Sequence, residues 1–340
     1  MRGPIELASD MMRDLALLPK AHLHLHLDGA MRPNTLGELA DQAGLAVPVI
    51  TAPESFAAFG DAIGAAALVI RSPDDFARLV REVVEDAAAD GAVWVEVSVW
   101  PGFLRGRLGP DEQVVEMVLD AGARASPAQG VGFGVMIAAN RNRGPEEAVR
   151  MAELAATFVG RGVVSYGLDG DEAAHPPSPF ASAFGVAKEA GLLCTPHAGE
   201  LLGPDSVRRA LDHLHADRIL HGVRASEDSE LVTRLAQQGV PLDVCPTSNV
   251  LLGVYSNLTE HPLPRLLAAD VACSINADDP LLFGSGLLDE YSLCRHTLGL
   301  TDHQLAECAR VSMRASGAPQ ESIARGLDGV DRWLSRYGTS

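Results

Sequence analysis

The chain predicts an α/β fold, a single (β/α)8 barrel spanning residues 1–340. Short apolar runs of strand length recur along it, helical segments with capping signals separate them, and polar residues of metal-ligand type gather where the runs end. With 340 residues and 47% hydrophobic content, one domain can bury a large core. An open doubly wound sheet is the competing arrangement of the same alternation.

The expected strands are Ala21 to Leu27, Val93 to Ser98, Val131 to Ile137, Val163 to Leu168, Leu192 to His197, Arg218 to His221, Pro241 to Cys245 and Val271 to Ala277. Several lack polar alternation, as strands covered on both faces should. Between them, Ser72, Pro73 and Asp75 supply an N-cap, a first-turn proline and a capping-box acid, and Gly91 can end that helix in the left-handed conformation. Ser178 with Pro179, and later Gly191, repeat the pattern; Thr301 and Gln304 form another box ahead of a C-terminal helical tail. Roughly sixty residues separate the first strand from the second, too many for an ordinary βα loop. They read as helices with apolar positions at Phe56, Phe59 and Phe76, so a helical lid is expected over residues 29–91. The same aromatics could instead pack that insertion onto the barrel.

Composition narrows the partners. Against 27 basic residues stand 45 acidic ones, a net charge of -18 that repels polyanions, so neither nucleic acid nor an anionic membrane is an expected partner. The five cysteines are widely spaced and include no CxxC pair, which suits buried free thiols in a reducing compartment. No signal-peptide run opens the chain and no 18 uncharged apolar residues follow one another, so a cytoplasmic protein is expected.

The chemistry concentrates in a few short stretches. His24 and His26 would face the same side of an extended segment, and His197 in TPHAGE and the Asp278, Asp279 pair fall at other strand ends. A lone HxH can be a pair of satisfied core histidines. Burying so many ionisable groups at three strand ends without a metal would cost several kcal/mol. Imidazoles with a carboxylate suit zinc, one ion per chain, and also admit iron.

These stretches, with HLHLDGA, the GDE of LDGDE, TPHAGE, the HG of ILHG, VCPTSN and DDP in that order from His24 to Pro280, resemble the adenosine deaminase family of metal-dependent barrel hydrolases. The resemblance implies a mononuclear zinc held by His24, His26, His197 and Asp278, with water completing the site. It also implies that Glu200 delivers a proton to purine N1 and that His221 orients or deprotonates the water. Asp279 would share a hydrogen bond at N7, the Gly170 backbone would serve N3, and Asp28 would meet the ribose side. The implied reaction is hydrolytic removal of the 6-amino group of an adenosine-type nucleoside, giving the inosine-type product and ammonia.

Plainer roles exist for some of these residues. Glu200 could be a helix N-terminal acid, His221 a structural histidine, and Asp28 a turn former before Gly29. The chain also departs from the family pattern at His22, Ser98, Gly167, Leu220 and Ala277. These positions border the pocket, where substrate choice can diverge. A 5′-modified adenosine such as aminodeoxyfutalosine is therefore the alternative substrate, then free adenine, and a non-catalytic purine-binding barrel comes last. Binuclear barrel hydrolases with a carboxylated lysine also begin with HxH, but the two lysines, Lys20 and Lys188, fall away from inner strand ends. No HxE with PCxxC is present, which sets aside the cytidine-type zinc deaminases.

Overall fold

Eight parallel strands follow one another in order round a nearly closed barrel in the computed structural model. They are β1 (Lys20–His22), β2 (Ala92–Val99), β3 (Gly132–Asn140), β4 (Val163–Asp169), β5 (Leu193–Ala198), β6 (Ile219–His221), β7 (Leu242–Val244) and β8 (Cys273–Ile275). The structure describes residues 12–49, 56–104 and 106–336, without the side chains of residues 56 and 57. The Phe56 side chain and the first eleven residues therefore lie outside the described residues.

Fourteen described helices surround the strands. After β1 come α1 (Pro33–Ala43), α2 (Phe56–Ala67) and α3 (Pro73–Ala89); then α4 (Asp111–Gln129), α5 (Pro145–Ala156), α6 (Ala181–Glu189), α7 (Pro204–His213) and α8 (Ser229–Gln238). Past β7 lie α9 (Pro246–Leu251) and α10 (Leu263–Ala268); past β8 lie α11 (Pro280–Phe283), α12 (Leu287–His296), α13 (Asp302–Ala315) and α14 (Gln320–Ser335). The strands β2 to β5 are buried on both faces along most of their length, which accounts for their continuous apolar runs. Polar side chains inside the barrel pair with one another: Arg218 lies 2.6 Å from both Glu96 and Asp243.

The capping signals act as read at two helices. Ser72 Oγ accepts from the Asp75 N–H while the Asp75 carboxylate accepts from the Ser72 N–H, and Thr301 and Gln304 do the same for α13. At α6 the expectation fails. Pro177 is already helical, so Ser178 falls inside a 3-10 turn (Ser178–Phe180), makes no capping bond, and α6 begins at Ala181.

The segment between β1 and β2 divides by its packing. Helix α3 lies against β2 and α4, in the place of the first barrel helix. Helices α1 and α2 are extra; Phe59 of α2 stacks on Phe283 beyond β8, ring centroids 6.0 Å apart, and Arg32 at the start of α1 pairs with Asp86 of α3 at 2.6 Å. Phe76 is buried in the core beneath them.

The first strand is shorter than the sequence suggests. Regular pairing stops at His22, because Leu23 N and His24 N donate to the Asn276 side chain at 2.8 and 3.1 Å instead of to a neighbouring strand. Isolated bridges then join His26 to Ser98 and Leu25 to Asp278. The second bridge closes the seam between β8 and β1, with Asp278 N donating to His24 O and His26 N to Asp278 O. All five cysteines are buried and free, and among the described residues no helix is long and apolar enough to cross a membrane.

Candidate active site

The four ligand candidates converge from three strand ends. The continuation of β1 supplies His24 and His26, the end of β5 supplies His197, and the turn after β8 supplies Asp278, a non-glycine residue at φ 64°. One ligand atom from each lies within 4.8 Å of the others. His197 Nε2 is 3.1 Å from His24 Nε2 and 3.2 Å from His26 Nε2. Asp278 Oδ1 is 3.1 Å from His24 Nε2 and 3.3 Å from His26 Nε2.

The far side of each ring shows which nitrogens face inward with lone pairs. His24 Nδ1 faces the Asp243 carbonyl at 3.3 Å. His197 Nδ1 faces the Leu168 carbonyl at 3.1 Å, with Asp169 Oδ1 alongside at the same distance. His26 Nδ1 faces Asp169 Oδ2 at 3.5 Å. The Nδ1 protons have acceptors there, so three Nε2 lone pairs and a carboxylate oxygen point at one another. Such an arrangement repels unless a proton or a metal cation sits among them. Zinc bonds of ~2.0–2.1 Å at tetrahedral angles would separate ligand atoms by about 3.3 Å, which fits the observed spacings.

Around this cluster the carboxyl groups are shifted in opposite directions. Burial works to raise Asp278, but His24, His221 and His26 hold it well below the usual carboxylate range. Burial, with the Asp278 and Glu172 charges, pushes Glu200 well above that range. Burial and the Asp278 and Asp28 charges do the same to Asp279, whose two carboxylate oxygens are buried without a protein partner. His221 Nε2 lies between them, 3.4 Å from Glu200 and 3.7 Å from Asp278, and burial with His24 depresses its basicity strongly. His221 adopts φ 61°, a conformation unusual for a side chain of its size.

Several positioning residues are ones the sequence left without a role. Asp169 Oδ2 also accepts from Ser98 Oγ at 3.0 Å; burial pushes its carboxyl up, but His26 and His197 outweigh that and hold it at about 2. Glu172 accepts from the backbone N–H groups of Gly199, Glu200, Leu201 and Leu202 at 2.6 to 3.1 Å, and from Ser206 Oγ. One carboxylate thus pins the whole loop that carries Glu200, and Glu200 itself leaves those N–H groups to Glu172. Ser248 Oγ donates to Asp278 Oδ2 at 2.6 Å. Asp169, Glu172 and Ser248 all lie inside LDGDE and VCPTSN, so their place at strand ends was the available signal.

The remaining candidates border the cluster. Asp28 is half-buried, and burial raises its carboxyl against the opposing pull of His26. Beside it lies a cavity of about 20 Å³ walled by Ile70, Phe76, Leu79, Trp100 and Phe103. Gly170 follows Asp169 at φ 101°. A Cβ at Gly29 would sit 1.8 Å from Asp279 Oδ1, so only glycine lets that carboxyl stand where it does. His22 accepts from Ala277 N across the seam at 3.2 Å, which links two of the departures from the family pattern.

Comparison with known proteins agrees with this geometry. The family model for adenosine deaminase matches residues 19–333. The chain belongs to the adenosine deaminase family. A putative adenosine/adenine deaminase of Streptomyces virginiae is 47% identical, over 95% of this chain and 98% of that one. An adenine deaminase of Sinorhizobium medicae is 38% identical, over 88% and 94%. The crystal structure of an adenine deaminase from Arthrobacter aurescens superposes with a TM-score of 0.86 at 32% identity, covering 93% of this chain and 99% of that one. The protein is accordingly a hydrolytic deaminase of the adenosine/adenine type.

Proposed function

We propose that the chain removes the 6-amino group of an adenine ring at a zinc centre held by His24, His26, His197 and Asp278. The observation that carries this reading is the convergence of four donors of metal-ligand type beside Glu200, a buried carboxyl whose pKa burial and the Asp278 and Glu172 charges push well up. Zinc supplies a Lewis acid that makes water nucleophilic near neutral pH, and iron satisfies the same N/O donor set.

The side chains divide the remaining work. Attack at C6 pushes electrons onto the ring, so Glu200 hands its proton to N1 as that charge develops. Asp279, whose pKa burial and the neighbouring acids push up, donates its proton to N7, which offers only a lone pair. Ionised Asp278 takes a proton from the attacking water, which the adjacent His221 orients by a hydrogen bond, and the Gly170 N–H meets N3. The proton taken from the water passes to the 6-amino group, which leaves as ammonia as the C6 hydroxyl returns its proton to Glu200 and becomes the carbonyl.

The group on N9 separates the candidate substrates. Free adenine is favoured by the likeness to the adenine deaminases of Sinorhizobium medicae and Arthrobacter aurescens, and by the small apolar-walled cavity beside Asp28. An adenosine-type nucleoside is the second reading, supported by the position of the Asp28 carboxyl at that same cavity, where a sugar hydroxyl would be its natural partner. It requires the walls of that cavity at Ile70, Phe76, Leu79 and Phe103 to open. A 5′-extended nucleoside such as aminodeoxyfutalosine needs still more opening.

An ultraviolet deamination assay over adenine, adenosine, deoxyadenosine and 5′-extended adenosines, run with metal analysis, tests the proposal. The expected result is the highest kcat/KM for adenine with one zinc per chain. A higher value for a nucleoside moves the assignment to the second reading. Stoichiometric metal with no turnover of any of them overturns deamination in favour of a binding role.

A further inference from the structure

We propose that Asn249 and His261, neither of which reaches substrate or metal, are positioning residues that fix the tautomer of His221 through a directed chain of hydrogen bonds. The chain starts at a group that has no choice of role. The backbone N–H of Leu263 donates to His261 Nδ1 at 3.3 Å, so that nitrogen carries the lone pair. His261 is buried, and burial with the nearby Arg265 lowers its pKa to about 3, so the ring is neutral. The proton of a neutral ring must then be on Nε2.

His261 Nε2 lies 3.2 Å from the Asn249 amide, and a donor there makes the facing amide atom the oxygen. The amide nitrogen is thereby turned to His221 Nδ1, 3.1 Å away, and donates to it. His221 Nδ1 is left with its lone pair, and the His221 proton resides on Nε2, which faces Glu200 and Asp278. In this state His221 offers a hydrogen bond at the reaction centre and has no free lone pair there with which to take a proton.

The elements that hold the relay are themselves tied down. Asn249 lies on α9 one residue after Ser248, which donates to Asp278, and Glu290 accepts from Thr247 N at the start of the same helix. The His261 ring packs edge-on against Tyr255, centroids 5.5 Å apart. A buried histidine and a buried amide therefore act at a distance on a third side chain, a role open to them on any substrate carrying the 6-aminopurine ring of the proposed function.

The test is the two-bond proton–nitrogen correlation spectrum of the histidines in the zinc-loaded protein without substrate, which identifies the protonated nitrogen of each ring. His221 is expected to be protonated at Nε2 and His261 at Nε2; an Nδ1 proton on either ring in the wild type overturns the proposal. Asn249→Asp presents an acceptor to both rings, so it should draw the His221 proton to Nδ1 and lower kcat by about 10²-fold, with KM within about twofold and zinc retained. His261→Gln keeps a donor towards Asn249 and should hold kcat within about threefold of wild type. An unchanged His221 tautomer in Asn249→Asp, or an equal loss of kcat in both variants, also overturns it. Should a variant fail to fold, the wild-type spectrum decides. That spectrum needs no substrate, so a wrong substrate assignment leaves it standing.

Discussion

At the scale of single residues, the site depends on neighbouring carboxyls whose pKa values are pushed in opposite directions. Glu200→Gln keeps a hydrogen bond to N1 but has no proton to transfer, so kcat should fall by about 10²–10⁴-fold with zinc content unchanged. The raised pKa of Glu200 fixes the sign of the pH dependence. The acid form acts, so the wild-type rate should fall as pH rises through that pKa, and the variant's residual rate should lack this limb. A full-rate Glu200→Gln enzyme would remove Glu200 from the mechanism. Gly29→Ala probes the other carboxyl: its Cβ would collide with Asp279 Oδ1, and losing that hydrogen bond should cost about 10-fold or more in kcat/KM. Unchanged kinetics would show that Asp279 can relocate freely. The convergence of His24, His26, His197 and Asp278 near Glu200 was legible in the sequence because each stands in a short motif at a strand end. Asp169 and Glu172 stand in the same motif, yet their roles depend on which N–H groups the fold delivers to them, and spacing does not carry that.

Among the elements, α9 joins the site to the rest of the barrel through one buried acid. Glu290 of α12 accepts from Thr247 N at the N-terminal turn of α9 and from Ser285 Oγ. Burial raises its pKa to about 7, against the lowering effect of those two donors. Because the folded pKa is above the unfolded one, this group's contribution to stability is complete below the unfolded value of about 4.5 and is lost as pH rises through about 7. Glu290→Gln, which keeps an acceptor for Thr247, should flatten the fall of the urea midpoint across that window; an identical slope would show that Glu290 ionises equally in both states. The capping boxes of α3 and α13 were readable from sequence, since they depend on residues three apart. The start of α6 was not, because the backbone of Pro177 shifted the helical turn past its apparent cap. The end of β1 was also hidden, since the Asn276 side chain that interrupts it is remote in sequence.

For the whole molecule, the weakest circumferential link is the seam between β8 and β1. The other neighbouring strands share ladders of two or more residue pairs, whereas this pair meets through the Leu25 to Asp278 bridge, the bond from Ala277 N to His22 and the bonds made by the Asn276 side chain. The proposed ligands His24 and His26 lie on one side of that gap and Asp278 on the other, so a cation bound there would fasten the barrel as well as supply its chemistry. Removing it would leave the facing lone pairs of His24, His26 and His197 unbalanced at 3.1 and 3.2 Å. Folding and metal affinity should therefore be linked: saturating zinc at about 1,000 times its Kd should add about 4 kcal/mol of stability. The destabilisation should also be local. After chelation, hydrogen exchange should rise first in residues 20–28 and 273–279, on the two sides of the seam, while β2 to β4, with the longest ladders, stay protected. Readdition of zinc should restore both activity and protection. Exchange that rises evenly round the barrel, or first at β2 to β4, would show that the metal site is not what closes it.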